Sequence, residues 1–250
     1  STIAGDTAGT VTVQNNINIT GTSAAIATAV GVVDTFSGTP TAALSNAHTL
    51  AQLKTINDAI SGQLTLNDYT VALSGTSEQV AAALDGTFAS TYTGAATVSD
   101  AHTLAQLKTI NNATSGTITL NDVTVALTGS PADVKAALDG TFAAGYTGNV
   151  TLNDANSASV AAADISTIAG DTSGTVTVSN NINLTGTATA ITTAVNDVDS
   201  FSGTPNAELG SAHTLAQLKA VNNAVDGTLT LNDVTVALVG SAADIKAALA

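Results

Sequence analysis

TITLNDVTVALTG, residues 117–129, consists of two short runs of alternating apolar and polar residues around Asn121-Asp122. With Asn121 and Asp122 as a two-residue turn, Leu120 faces Val123, Thr119 faces Thr124 and Ile118 faces Val125. One face is then wholly apolar and the other carries Thr pairs, as in a β-hairpin with one buried side. The same register works for Leu66/Tyr69 and Leu231/Val234. Around the loop Gln14-Asn15-Asn16 it keeps Val13/Ile17 and Val11/Ile19 on one face. The spacing predicts a hairpin in every copy.

The copies belong to an internal repeat, which bounds the fold before anything else does. AHTLAQLK begins at Ala47, Ala101 and Ala212, and STIAGDT begins at Ser1 and Ser166. Equivalent apolar positions are Ile3, Ile56, Ile110, Ile168 and Val221, which sets a unit of about 54 residues. The unit at 158–211 carries SVAAADIS in place of AHTLAQLK. The array is read as 1–46 (partial), 47–100, 101–157, 158–211 and 212–250 (partial), a single repeat array over residues 1–250.

Each unit reads as helix, β-hairpin, helix, short strand. Asn46, Asp100 and Ser211 precede AHT and are suited to cap the first helix. Leu104, Leu107 and Ile110 form its apolar stripe, and Gly62, Gly116, Gly174 or Gly227 marks its end. The second helix opens at Thr22, Thr76, Ser130, Thr187 or Ser241, with Pro131 at its first position and Asp133 at its third in one copy. Val134 and Leu138 supply its stripe. Phe36, Phe88, Phe142 and Phe201 all follow this helix and read as one repeated core plug, so that Phe142→Ala should cost roughly 3–5 kcal/mol. Asn149-Val150-Thr151-Leu152 is the short strand. Two hairpin strands per unit would rise roughly 9–10 Å, close to the helix spacing of about 8–10 Å. The expected fold class is an α/β solenoid that runs fairly straight.

Composition removes several functions. The 250 residues are 44% hydrophobic but only 3% aromatic, so the core is built from small side chains. The net charge is -14, with five basic residues, all Lys. Nucleic-acid binding needs a cationic surface, and none is available; an anionic membrane would repel this surface. The absence of Cys excludes disulfides and thiol chemistry. No apolar run is long enough for a membrane span, and no secretory leader stands in this stretch. The lack of Met and the start at Ser1 fit a piece of a longer protein.

ATVSDAHTLAQLKTINNATSGT, residues 96–117, is of the form VTVxDAxTxAQLxxIxxATxGT. It resembles tandem repeats of very large bacterial surface and secreted proteins, with giant cyanobacterial cell-surface proteins the nearest group. The resemblance implies an extracellular or cell-surface location and a structural or adhesive role. The partners would be neighbouring repeats of the same longer chain, with possible surface or self-association. The GGxGxDxUx nonapeptide of secreted calcium-binding proteins is absent, so their calcium sites do not carry over.

No catalytic, cofactor or metal residue is assigned. His48, His102 and His213 share one repeat position, read as the second of the first helix and as solvated; Val160 replaces them once and breaks any metal ladder. Asn67-Asp68, Asn121-Asp122, Asn153-Asp154 and Asn232-Asp233 could offer oxygen ligands to calcium, but they are also what turns require. Thr12, Thr65, Thr119, Thr177 and Thr230 would align along the stack, a face that could meet ice or another ordered surface, although Asn18 and Asn183 interrupt the adjoining column. Nucleophile elbow, phosphate loop and dinucleotide motif are all missing. The expectation is a non-catalytic spacer or surface-layer stalk, with a calcium-binding or Thr-face module as the alternative.

Overall fold

The computed structural model describes residues 9–249; the STIAGDT phrase at Ser1, with Ile3, and Ala250 lie outside the described residues. The fold is α/β, and every strand pairing between named strands is parallel. The chain forms two compact units, residues 9–122 with Asp139–Ala144, and Val123–Leu138 with residues 145–249.

The first unit contains β1 (Thr12–Val13), β2 (Asn18–Gly21), α1 (Ser23–Val30), β3 (Thr35–Phe36), β4 (Thr41–Leu44) and α2 (Leu50–Ala59). It continues with β5 (Leu64–Thr65), β6 (Leu73–Gly75), α3 (Ser77–Leu84), β7 (Ala96–Val98), α4 (Leu104–Ala113) and β8 (Ile118–Leu120). Its sheets are β1-β3, β2-β4-β5 and β6-β7-β8. The second unit contains β9 (Leu127–Gly129), α5 (Pro131–Leu138), β10 (Val150–Leu152), β11 (Ser159–Ala161), α6 (Ala162–Asp171), β12 (Val176–Val178) and β13 (Asn183–Gly186). It ends with α7 (Ala188–Asp197), β14 (Ser200–Phe201), β15 (Asn206–Leu209), α8 (Leu215–Ala224), β16 (Leu229–Leu231) and α9 (Ala242–Leu249). Its sheets are β9-β10-β12-β14 and β11-β13-β15-β16. Within each unit every helix packs on the next helix in sequence.

The hairpins are not formed. Thr65 pairs with Ala43 and Thr119 with Thr97, both in parallel register, rather than with the strand beyond the Asn-Asp turn. A two-residue hairpin turn of the favoured type needs positive φ at both central residues. Among the described residues Ser157 is the one non-glycine with positive φ, so the Asn-Asp pairs lack that geometry. Asp68 Oδ1 instead accepts from Thr70 N at 2.8 Å and from Thr70 Oγ1 at 2.7 Å. The chain bends and continues, and Tyr69 O accepts from Thr93 N and Gly94 N of the next crossover. The face assignment holds in this copy, where Ile118 and Leu127 are buried while Thr119, Thr124 and Thr128 are exposed, but Ile17 and Val234, on the apolar face of theirs, are exposed. Alternation reports which face is buried, whoever the neighbouring strand is.

Parallel neighbours require crossovers, and each crossover carries a helix. Helix starts at Ser23, Leu50, Ser77 and Leu104 fall 27 residues apart, so the 54-residue sequence period holds two helices. Strand partners stand closer, as in Leu73↔Ala96↔Ile118. The sheets therefore slip against the helices. From Gly21 to Ser23 is two residues, from Leu44 to Leu50 six, and from Thr65 to Ser77 twelve. Strands want about 4.8 Å between neighbours and helices about 8–10 Å. Steps of four and then six residues, roughly 13–20 Å along the strand, let one strand and one helix advance together. The premise of matched hairpin and helix spacings falls with the hairpins.

Core positions follow the helical stripes. Ile56, Leu107, Ile110, Val134, Ile168 and Val221 are all fully enclosed. The phenylalanines are a correction: all four are half-buried, and Phe36, Phe88 and Phe142 pack against the edge of the core. They lie on short extended segments or isolated bridges. The buried aromatic rings are Tyr92, 1% exposed, and Tyr146, 3% exposed.

Caps also differ from expectation in part. Thr22, Thr76, Thr187, Ser130 and Ser241 cap the second-type helices as read. The first-type helices start three residues later than AHT suggests, at Leu50, Leu104 and Leu215. Thr49, Thr103 and Thr214 cap them through reciprocal boxes with Gln52, Gln106 and Gln217. Asn46 and Asp100 accept instead from the first N–H of the preceding helix, Ser23 N at 2.8 Å and Ser77 N at 2.6 Å. The glycines past the helix ends serve close approach rather than a left-handed cap, since Gly116 sits against Gly94 O and Gly62 against Pro40 O.

Candidate functional site

The polar groups that composition singles out meet at the start of α2. Thr49 is the N-cap and His48 precedes it, the position whose side chain normally packs back as a hydrophobic staple. That position demands burial, and His48 and His102 are each 4% exposed and His213 6%. The fourth copy, Val160, is equally enclosed at 4%. The solvated reading of these histidines is therefore corrected: the imidazole serves as an apolar body under the helix entrance.

The Tyr92 hydroxyl donates to Val71 O at 2.6 Å and lies 3.1 Å from His48 Nε2. A hydroxyl has one proton, so the His48 Nε2–H must be the donor in the second contact. The neutral imidazole then carries a bare lone pair at Nδ1, which is buried without a hydrogen-bond partner, as is Nδ1 of His213. Burial pushes His48 below its ordinary value, against a smaller opposing pull from Asp68. His102 is lowered by burial too, opposed by Asp122 and Asp100. Burial likewise pushes the Tyr92 phenol far up, so it stays protonated.

A groove of about 710 Å³ runs beside this cluster, lined by His48, Leu50, Lys54, Ser74 and Gln79 among others. Its chemistry is limited. The His48 Nε2 is held by Tyr92 and its Nδ1 is enclosed, so no free base reaches the Ser74 hydroxyl. Lys54 Nζ binds Asp58 at 2.6 Å. At the α2 entrance Gln52 N donates to the Thr49 hydroxyl and Thr49 N to the Gln52 side chain, which also accepts from Ser23 Oγ at 3.0 Å.

The Asn-Asp turns hold their carboxylates in local hydrogen bonds. Thr70 lowers Asp68, and Thr235, bonded to Asp233 Oδ1 at 2.6 Å and 2.9 Å, lowers Asp233. Among the described residues no three His, Cys, Asp or Glu side chains converge as a metal would require. The threonine column is also corrected: Thr12, Thr65, Thr119, Thr177 and Thr230 lie in five different sheets. The hydroxyl rows that do form are short, Ser74-Thr97-Thr119 and Thr128-Thr151-Thr177-Ser200. The parallel step, which alternation does not encode, regroups them.

No described helix is long and apolar enough to cross a membrane. Comparison with known proteins finds no matching family model, no matching curated protein and no matching solved structure.

Proposed function

We propose that this chain is a non-catalytic structural segment of a large extracellular surface protein, an α/β solenoid that acts as a spacer or stalk. The observation that carries this reading is where the polar side chains go. Asn46 and Asp100 each satisfy the helix one crossover upstream. Asn57 Nδ2 donates to Ala82 O at 2.8 Å and Asn222 Nδ2 to Ala247 O at 3.2 Å, again one crossover on. Lys135 binds Asp164 at 2.5 Å and Lys219 binds Asp244 at 2.8 Å in the same manner. These groups join neighbour to neighbour, which supports stability as a sum over repeats and their contacts. The array can then lengthen without a new design, and its partners are its own neighbouring repeats. No cofactor enters this reading.

Inserting a second copy of residues 47–100 after Asp100 tests it by small-angle scattering. Two added helices at 8–10 Å each should raise the maximum dimension by at least about 15 Å. A globule would swell by only about 8%, following roughly the 0.38 power of length; growth of that size would reject the solenoid.

A further inference from the structure

We propose that His48 and His102 form an acid latch: each is a neutral plug beneath a helix entrance, and taking up a proton loosens the crossover it closes. The inference goes beyond the spacer role and does not depend on it. It starts from the tautomer. His48 gives its Nε2 proton to Tyr92, whose own proton goes to Val71 O, so a second proton can bind only at Nδ1. Nδ1 faces no acceptor and is closed to water. Protonation would place a charge and an unmet donor in the interior together, which the fold can relieve only by opening.

The charged and titratable neighbours are few. Asp68 faces His48 from the bend between β5 and β6, and Tyr92 from the segment before β7; Lys54 on α2 lines the same groove and is tied to Asp58. His102 faces Asp122 and Asp100, and His213 faces Asp233. Asp68 and Asp233 are bonded to their own threonines, and water screens their pull. For His48 and His102 burial is the larger influence. The internal repeat supplies a comparison: the fourth copy carries Val160 at the same buried position, with no group that titrates.

The sign follows from linkage. A folded value below the ordinary 6.5 means that the unfolded chain binds more protons between the two. Stability is full above about pH 6.5 and falls as the pH drops through the lowered folded value. Asp68 and Asp233, lowered from 3.8, titrate in a separate window further down.

The test is a pair of measurements on the whole chain. Between pH 7.5 and pH 5.0 the melting temperature is expected to fall by several degrees. In the double variant His48→Val, His102→Val it should fall by less than about half of that. An equal fall in the variant would assign the effect to carboxylates and overturn the proposal. Should the variant fold poorly, proton NMR of the His48 and His102 imidazoles in the unaltered protein decides: midpoints below pH 6.5 support the latch, and ordinary midpoints in the folded protein overturn it.

Discussion

Gly94→Ala is expected to destabilise the first unit by about 3 kcal/mol, the upper range for forcing a methyl into a closed site. A Cβ at Gly94 would stand 2.0 Å from Val71 O and 2.7 Å from Tyr92 Cε1. Val71 O is backbone, and Tyr92 is locked by its hydroxyl, so neither can swing aside. Gly94 N also donates to Tyr69 O, and Gly94 O accepts from Thr114 Oγ1 at 2.8 Å, which fixes the glycine from both sides. Its counterpart in the second unit, Gly148, meets Val125 O at 2.1 Å and Tyr146 Cε1 at 2.8 Å. Gly148→Ala should therefore destabilise that unit similarly. Gly170 is the internal control. It lies within α6 and a Cβ there meets nothing within 4 Å, so Gly170→Ala should stabilise by about 0.5–1 kcal/mol through helix propensity. Urea melts of the three variants check this order.

Tyr92→Ala is expected to cost about 3–5 kcal/mol, the range for removing an enclosed aromatic ring. The ring is 1% exposed and sits 5.9 Å from both the His48 and the Phe88 ring centres. Its loss would also strand Val71 O and the His48 Nε2–H in the interior. Phe142→Ala should cost less, about 1–2 kcal/mol, because only part of that ring leaves water. This inverts the ranking that sequence position suggests for the phenylalanines. Tyr92→Phe, which keeps the ring and removes the hydroxyl, should fall between the parent and Tyr92→Ala. Equal losses for Tyr92→Ala and Phe142→Ala would mean that the two rings share one environment.

What could be read from the sequence was whatever depends on a residue's own neighbours along the chain. The alternation of TITLNDVTVALTG placed Ile118 and Leu127 inward and Thr119 outward, and the helical stripe placed Leu107 and Ile110 in the core. The caps Thr76 and Ser130 follow from local geometry too, since the oxygen and the amide it meets are three residues apart. What stayed hidden depends on contacts across one crossover. A strand alternates identically beside a parallel or an antiparallel partner, so the hairpin and the true pairing share one pattern. Asn46 has the right chemistry for a cap, but the amide that it meets is 23 residues upstream. Tyr92 and Phe88 are four residues apart and similar in size, and only the fold decides that Tyr92 points inward. The candidate cluster was half legible. The histidine position stood out as repeated, and Val160 in its place breaks a metal ladder, but the burial of that position was not legible in the chain.

The protein has no cysteine, so paired substitutions can report strand neighbours directly. Two variants share Thr65→Cys: one adds Ala43→Cys, its partner in the parallel register, and the other adds Thr70→Cys, its partner in the hairpin. Under mild oxidation the parallel account predicts a disulfide in the first variant and free thiols in the second. A disulfide that forms readily between positions 65 and 70 but not between 43 and 65 would contradict it, and would restore the hairpin to every repeat.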